Sequence, residues 1–374
     1  MAAFAYRLAT ETDEADLRRL LRESPMPGAI AVTFEREPHY FRAAAVEGFH
    51  QTIVCRDSQT GALLGMGSRS VRPVYLNGTV QPVGYMSQLR ASPHHPWGLG
   101  LARAVAQGFT FFHTLHADRR APFYLMSVIA DNRPAQRLLE SGLSGLPRLQ
   151  PYALWHTYVV YLGQAKRPAP LPPGLRLERG DIARTPAILE CLQRSGAGRQ
   201  FAPYWSAETL FNPDHTPDLR PEDFLLALRG QRVVGCVAAW DQSRFKQSVV
   251  RAYSGPIGRW RAWINRLAPL GGWPCLPAPD TPWRYCYASH LAVDDADPEV
   301  FAALVRALYC RARDQGYNYF ILGLAEADPL SRMVRRGYRH VTYPSQIYLV
   351  GWEDSWEAIS QVDRRPPGLE VAVL

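Results

Sequence analysis

The stretch that decides the fold reads Gln88-Leu-Arg-Ala-Ser-Pro-His-His-Pro-Trp-Gly-Leu-Gly-Leu-Ala-Arg103. Pro93 and Pro96 end an extended segment, because proline cannot donate a hydrogen bond to a strand ladder. Apolar residues at helical spacing follow the Gly-Leu-Gly sequence, so a helix begins there. A strand that runs into a glycine loop at a helix N-terminus presents unpaired N–H groups and the positive end of the helix dipole. The stretch therefore predicts an anion-binding loop that suits a pyrophosphate.

A lone Gly-x-Gly also occurs in ordinary strand-to-helix turns, so the residues downstream matter. Residues 123–129 are apolar and predict a strand, and Asn132-x-x-Ala135 then opens a short helix that ends at Gly142. This order of strand, glycine loop, helix, strand and short helix resembles the GNAT acetyltransferase superfamily. Residues 95–100 stand at its loop motif, and Asn132 and Ala135 at its second motif. His95 replaces the usual Arg or Gln of the loop, and Leu139 replaces the Tyr that many members use as general acid.

The resemblance implies a mixed α/β fold with a mostly antiparallel twisted sheet whose central strands splay apart. It also implies that the loop amides hold the pyrophosphate of acetyl-CoA and that the pantetheine arm lies between the splayed strands. The residues expected to contact this cosubstrate are Leu89, Arg90, Ala91, His95, Trp97, Gly98, Leu99, Gly100, Leu101, Asn132 and Ala135.

Acetyl transfer in this family proceeds by direct attack of an amine on the thioester. Backbone N–H groups of residues 89–91 could polarise the carbonyl, so no special side chain is needed for that step. Polarity and placement make Glu47, Tyr85 and His39 candidates for the base, and Tyr124 and Ser127 candidates for the donor to the thiolate. Each of these side chains also suits a purely structural role.

The second half of the chain repeats the first. Arg232-Val-Val-Gly235 echoes Ala62-Leu-Leu-Gly65 about 170 positions later. Where the first half has its glycine loop, the second has Asp294-Asp-Ala-Asp297, whose carboxylates would repel a pyrophosphate, and either Glu326 or Asp328 stands at the place of Asn132. We expect an N-terminal GNAT domain at 1–163, a proline-rich linker at 164–174, a degenerate copy at 175–352 and a tail at 353–374.

An insertion at 254–283 carries Trp260, Trp263, Trp273 and Trp283. These side chains either pack the insertion onto its own domain or form an aromatic wall at a substrate pocket or subunit interface. The second alternative leaves a homodimer open.

The composition narrows the class of protein. The 374 residues include 47% hydrophobic and 20% charged ones, enough for sizeable cores, and the net charge of +8 favours anionic partners such as the CoA phosphates. Lys166 and Lys246 are the only lysines, and no basic run with interleaved aromatics suggests nucleic acid. The six cysteines form no Cys-x-x-Cys, His94-His95 has no matching ligand cluster for a metal, and no apolar run reaches the roughly 20 residues of a membrane span. We therefore expect a cytoplasmic protein.

The sequence predicts an N-acetyltransferase that transfers an acetyl group from acetyl-CoA to a primary amine. Two alternatives remain open: a non-catalytic CoA-responsive regulatory module, and a transferase of aminoacyl or longer acyl groups, as in other tandem GNAT families. The acceptor itself cannot be read from the residues.

Overall fold

The computed structural model describes residues 4–26, 28–98 and 100–374. Leu99, one of the predicted contacts of the cosubstrate, lies outside the described residues.

Within the described part of the first half there are seven strands and four helices. In chain order they are β1 (Phe4–Leu8), α1 (Glu14–Arg22), β2 (Ile30–Glu35), α2 (Tyr40–Ala44), β3 (Phe49–Asp57), β4 (Leu63–Leu76), β5 (Thr79–Ala91), α3 (Gly100–His116), β6 (Tyr124–Ile129), α4 (Arg133–Leu139) and β7 (Arg148–Tyr161).

The second half contributes eight strands and five helices. They are β8 (Leu175–Arg179), α5 (Thr185–Ala197), β9 (Phe224–Arg229), β10 (Arg232–Trp240), β11 (Gln247–Tyr253), α6 (Gly255–Gly271), β12 (Thr281–Pro282), β13 (Tyr285–Val293), α7 (Pro298–Asp314), β14 (Tyr319–Ala325), α8 (Pro329–Gly337), β15 (His340–Gly351) and α9 (Trp356–Ser360).

Most local expectations are confirmed. Asn77 and Gly78 both have positive φ (54° and 80°) and close the β4–β5 hairpin, as an Asn-Gly turn requires. β7 is one long strand that pairs along both of its edges. The register irregularity on β15 between Ile347 and Tyr348 lets Pro151 sit within β7 without ending it.

The internal repeat is visible in the backbone. In each half a glycine begins an irregular register: Gly65 faces Ala91 across β4 and β5, and Gly235 faces Val293 across β10 and β13. Gln88 and His290 occupy corresponding places in the two bulges with φ of 53° and 52°. The chain therefore builds the same bulged pair of strands twice, which is the mixed α/β architecture that the sequence predicted.

The two copies are joined into one twelve-stranded sheet of order β1-β3-β4-β5-β6-β15-β7-β14-β13-β10-β9-β8. β15, the last strand of the second half, lies between β6 and β7 of the first. β7 in turn lies between β15 and β14. Each half thus completes the other, because β15 covers one edge of β6 and one edge of β7.

The segment between the two halves, residues 164–174, packs against the second half. Residues 164–174 form no helix or strand, as the prolines predicted. Their carbonyls accept hydrogen bonds from α7, where Tyr309 Oη donates to Gln164 O at 2.9 Å and Arg306 Nη1 donates to Arg167 O at 3.2 Å. The predicted linker is therefore fixed along a helix of the second half.

The tryptophans of the insertion differ in how exposed they are. Trp283 is buried, whereas Trp260 and Trp263 on α6 are 53% and 59% exposed. Trp260 and Trp263 are therefore not core residues and do not line the cavity described below, so the first of the two alternatives does not hold for these two side chains.

The strand exchange predicts how a fragment behaves. A chain of residues 1–165 lacks β15, so β6 and β7 each lose a neighbour, and we expect no cooperative thermal unfolding and aggregation on size-exclusion chromatography. As the control, a protease site inserted between Pro170 and Leu171 and cut after purification should leave two associated fragments with nearly the melting temperature of the uncut protein. A monomeric fragment 1–165 with a cooperative melt would contradict this prediction.

Candidate functional site

The candidate site is a gap between two parallel strands. β5 pairs with β6 only from Gly84–Tyr124 to Met86–Met126, although β5 continues to Ala91. Beyond Met86 that edge of β5 has no partner strand among the described residues. The gap leads directly toward the glycine loop and the N-terminus of α3, as the sequence predicted.

A cavity of about 340 Å³ opens beside the gap. It lies between α3, α4 and the strands β1, β3, β4 and β5, and its volume falls in the range of small-molecule sites. Seven of the predicted contacts line it: Leu89, Arg90, Ala91, Trp97, Leu101, Asn132 and Ala135.

The loop itself is held by its own aromatic residue. Trp97 Nε1 donates to Ser92 O at 2.9 Å, and the His95 ring lies against Trp97 with centroids 4.6 Å apart. Gly98 has φ of 46°, which favours glycine, and no atom would meet a Cβ added there. The loop thus leaves open space in front of a helix of 17 residues, and Gly100 is the first residue of that helix.

Asn132 serves first as a helix cap. Its side-chain oxygen accepts from Ala135 N at 3.2 Å, so the predicted Asn-x-x-Ala motif is the N-terminus of α4 at the rim of the cavity. A ligand can accept a hydrogen bond from the side-chain NH2 group of Asn132, whereas its oxygen already accepts from Ala135 N.

The deep end of the cavity is apolar. It is formed by Ile53, Cys55, Val105, Phe112 and the ring of Tyr6, whose hydroxyl donates to Ala104 O at 2.6 Å. Gly65, Gly67 and Gly108 also line the cavity, so three positions of its wall carry no side chain. The recess therefore extends beneath α3, past the place where the loop and gap meet.

Polar side chains also lie on the opposite face of the sheet. Tyr85 and Ser127 lie on the neighbouring strands β5 and β6 on this face, with Ser127 close enough to the phenol to affect its pKa. Burial raises the pKa of Tyr85 well above its usual value, so the phenol stays protonated at neutral pH. Both side chains lie where β5 and β6 begin to diverge.

A hydrogen-bonded chain leads toward the same point. Glu47, fully buried, forms an ion pair with Arg36 and lies 3.1 Å from His50 Nδ1. His50 Nε2 is 2.9 Å from Thr52 Oγ1, which is 3.0 Å from Ser68 Oγ. Ser68 faces Ser87 across the β4–β5 pair, immediately beyond the start of the gap.

Glu47 is held as a carboxylate. Burial by itself would raise its pKa, but the charges of Arg36 and His50 outweigh burial and hold the pKa well below its ordinary value. So low a pKa makes Glu47 a weak base, and its place beside His50 suits a residue that orients the imidazole.

Two further cations border this region. Burial lowers the pKa of Arg72 to about 10 and that of Lys246 to about 8, yet both side chains keep some accessible surface. Both groups are therefore largely removed from water without being fully enclosed. We call this region the polar chamber and define it by Arg36, Glu47, His50, Arg72, Tyr85, Ser127 and Lys246.

Two sequence candidates lie elsewhere. Tyr124 is fully buried on the α3 side of the sheet, where its hydroxyl accepts from Arg69 Nη1 at 2.9 Å, so we no longer propose it as a proton donor. His39 caps α2 by accepting from Arg42 N at 3.4 Å, and its side chain is 43% exposed. The sequence analysis missed Arg36, His50, Arg72 and Lys246; the one available signal was that Lys246 is one of only two lysines.

Comparison with solved structures gives the fold. The chain superposes on a GCN5-related N-acetyltransferase from Sphaerobacter thermophilus with a TM-score of 0.54 and 12% identity, covering 99% of this chain and 98% of that one. It superposes on Saccharomyces cerevisiae N-myristoyltransferase with bound myristoyl-CoA with a TM-score of 0.58 and 11% identity, covering 94% and 83%. A GCN5-related N-acetyltransferase from Anabaena variabilis gives 0.50 and 8%, covering 93% and 72%. The chain has the GNAT fold. By sequence alone, no family model and no curated protein is detectably similar to it.

The second GNAT copy has the same gap but fills it. β13 pairs with β14 only from Tyr285 to Tyr287, and residues beyond Leu369 pack into the opening. Glu370 Oε2 accepts from His290 N at 2.7 Å, so a side chain occupies the free edge of β13. The cavity left there is about 80 Å³. The expected tail at 353–374 therefore contributes to the second copy.

The aspartates of the second copy also have internal partners. Asp294 forms an ion pair with Arg194 at 2.9 Å, and Asp297 caps α7. Asp328 caps α8 as Asn132 caps α4, which decides between the two residues proposed for that position.

Within the described ranges, no group of three or more His, Cys, Asp or Glu side chains is arranged to hold a metal ion. Nor is any helix of those ranges long and apolar enough to cross a membrane.

Proposed function

We propose that the protein is an acyl-CoA-dependent N-acyltransferase that transfers an acetyl group from acetyl-CoA to a primary amine. The observation that carries this proposal is the convergence of the β5–β6 gap, the glycine loop and the 340 Å³ cavity in the first half. In our proposal the loop at Trp97–Gly98 and the N-terminus of α3 bind the pyrophosphate, although Gly100 N–H itself already donates to Trp97 O at 2.8 Å, and the gap receives the pantetheine arm. The thioester then lies at the gap, with the polar chamber on the far side of the sheet.

Tyr85 is the proposed proton donor to the departing thiolate. Its raised pKa keeps the proton in place until the sulfur becomes basic, and Ser127 is its polar neighbour on β6. The loss of the usual tyrosine at Leu139 is then explained, because a phenol reaches the gap from β5 instead.

His50 is the proposed acceptor of the proton from the attacking amine, through Thr52 and Ser68. Glu47 acts on it as a positioning residue and stabilises the imidazolium. This assignment keeps Glu47 in the machinery but changes its role from base to orienting carboxylate.

The proposal predicts one CoA per chain. Calorimetric titration should give a single site, and Gly98→Asp with Gly100→Asp should abolish binding because two carboxylates and two side chains enter the loop. Asp295→Gly, a change in the corresponding loop of the second half at a residue with φ of 53°, should leave the stoichiometry at one. Two equivalent sites, or binding that survives the double substitution, would refute the proposed placement.

The proposal also predicts which tyrosine matters for turnover. Tyr85→Phe should lower kcat roughly 10²-fold, the lower end for loss of a general acid, as measured by thiol release with a competent amine. Tyr124→Phe is the matched control on the other face: it should lower stability by about 1–2 kcal/mol through the lost Arg69 hydrogen bond and change kcat little. If CoA binds and no amine in a broad panel releases thiol, the regulatory-module alternative replaces the enzyme.

A second candidate donor is favoured by the apolar recess. An acetyl group does not need the space between Ile53, Cys55 and Gly108, whereas an acyl chain of several carbons could lie there with its apolar surface buried. A transferase of longer acyl groups is therefore the alternative that the cavity supports.

A substitution at Gly108 separates the two donors. Gly108→Leu would place a side chain beneath α3 toward Tyr6, whose ring is 3.4 Å from a Cβ added there. If the recess holds the acyl chain, this variant should lose at least about tenfold in kcat/KM with octanoyl-CoA and little with acetyl-CoA. Gly337→Leu, where an added Cβ meets no atom within 4 Å and the backbone does not need glycine, is the control. Equal losses with both donors would show that the recess does not receive the chain.

A further inference from the structure

The polar chamber contains more positive than negative charge. Arg36 has Glu47 as its counter-ion, whereas Arg72 and Lys246 have no ion pair among the described residues. The guanidinium of Arg72 lies over the Trp205 ring with Cζ 5.1 Å from the centroid. Its Nε and Nη1, and Nη1 of Arg36, are buried with no hydrogen-bond partner in the described part of the chain.

These cations lie close to the proposed catalytic groups. Ser70 faces Tyr85 across β4 and β5, and Arg72 is two residues further on the same face, so it is a diagonal neighbour of Tyr85 at about 7–8 Å. A Cβ added to Gly48 would lie 3.2 Å from Arg72 Cβ, so the turn that carries Glu47 packs on Arg72. Lys246 directly precedes Gln247, which pairs with Glu35, and this register places Lys246 beside Arg36.

Glu370 and Glu47 are the carboxyl groups that act on the charge of Arg72, but neither forms an ion pair with it. Burial raises the pKa of Glu370 to about 7, so below pH 7 it is mostly uncharged. Both of its oxygens already accept backbone N–H groups, from His290 and Ala372. Donors that remain buried without a partner cost stability, and a cation without a counter-ion costs more. A ligand that brings an anion into the chamber would offset this cost.

We propose that Arg72 and Lys246 bind a carboxylate of the acceptor, so that the acceptor is an amine with a carboxylate a few bonds from its nitrogen, as in an α-amino acid. This rests on the proposed function, because it places the carboxylate in the chamber while the amine reaches the gap beside Tyr85. The planar guanidinium over Trp205 suits a two-pronged carboxylate contact, and Lys246 adds a mobile charge.

Direct binding tests the inference without turnover. N-acetyl-L-leucine and N-acetyl-L-leucinamide have nearly the same shape and differ in the carboxylate. Each is titrated calorimetrically into the full chain, with and without CoA, at pH 6.5, where Lys246 is protonated and Glu370 mostly uncharged. The acid should bind about 10- to 100-fold more tightly than the amide, the range for hydrogen bonds to a charged group.

Substitutions locate the anion site. Arg72→Met and Lys246→Met should each remove most of the preference for the acid. Arg244→Met, two residues from Lys246 and with a 78% exposed side chain, removes one charge outside the chamber and should leave the preference intact. If Arg72→Met does not fold, Arg72→Lys and Lys246→Met are tested in its place, because both retain a long side chain at the site. Each should reduce the preference for the acid over the amide.

The results separate the two proposals. Equal affinity for acid and amide, absence of binding for both, or a preference that survives both chamber substitutions would overturn the inference. A protein that binds the acid as described but takes up no CoA would refute the proposed function and leave the anion site standing.

Discussion

The structure depends on the point where β5 and β6 stop pairing. Two parallel strands that diverge leave N–H and C=O groups without partners, and such groups must be satisfied by water, by protein or by a ligand. In the first half the edge of β5 beyond Met86 borders a cavity. In the second half the same edge of β13 is met by Glu370. Both halves thus contain an unpaired strand edge. In the first half it borders a cavity, and in the second it is met by a side chain, which explains why only the first half carries the candidate site.

The gap also divides the site by chemistry. One face of the sheet offers the apolar recess beneath α3, and the other offers the polar chamber. The acyl chain of a thioester at the gap would lie on the apolar side, and the attacking amine would come from the polar side. The apolar wall and the ionised groups are therefore kept apart by the sheet. The strand exchange supports this division, because β15 pairs with β6 and holds it in place while β5 is held by β4.

The local parts of this architecture could be predicted from the sequence because their causes are local. The Asn77-Gly78 turn, the glycine loop and the cap at Asn132 each depend on a few adjacent residues.

One error could also have been avoided. Tyr124 and Ser127 are three apart, and side chains alternate along a strand, so the two could not serve the same face. The exchange of β7 and β15 could not be foreseen, since pairing between strands nearly 200 residues apart leaves no mark in either segment.

The polar chamber was hidden for a related reason. Its residues come from β3, β4, β5, β6 and the approaches to α2 and β11, and none of them has a motif around it. What marks them is physical: Arg36 and Arg72 are arginines whose buried nitrogens have no partner in the described structure. A core selected only for stability would replace such groups with apolar side chains of similar volume, since a buried charge gains little unless it is fully paired. Their presence between two structurally similar halves, beside the gap, is therefore better explained by a ligand that completes them than by their contribution to folding.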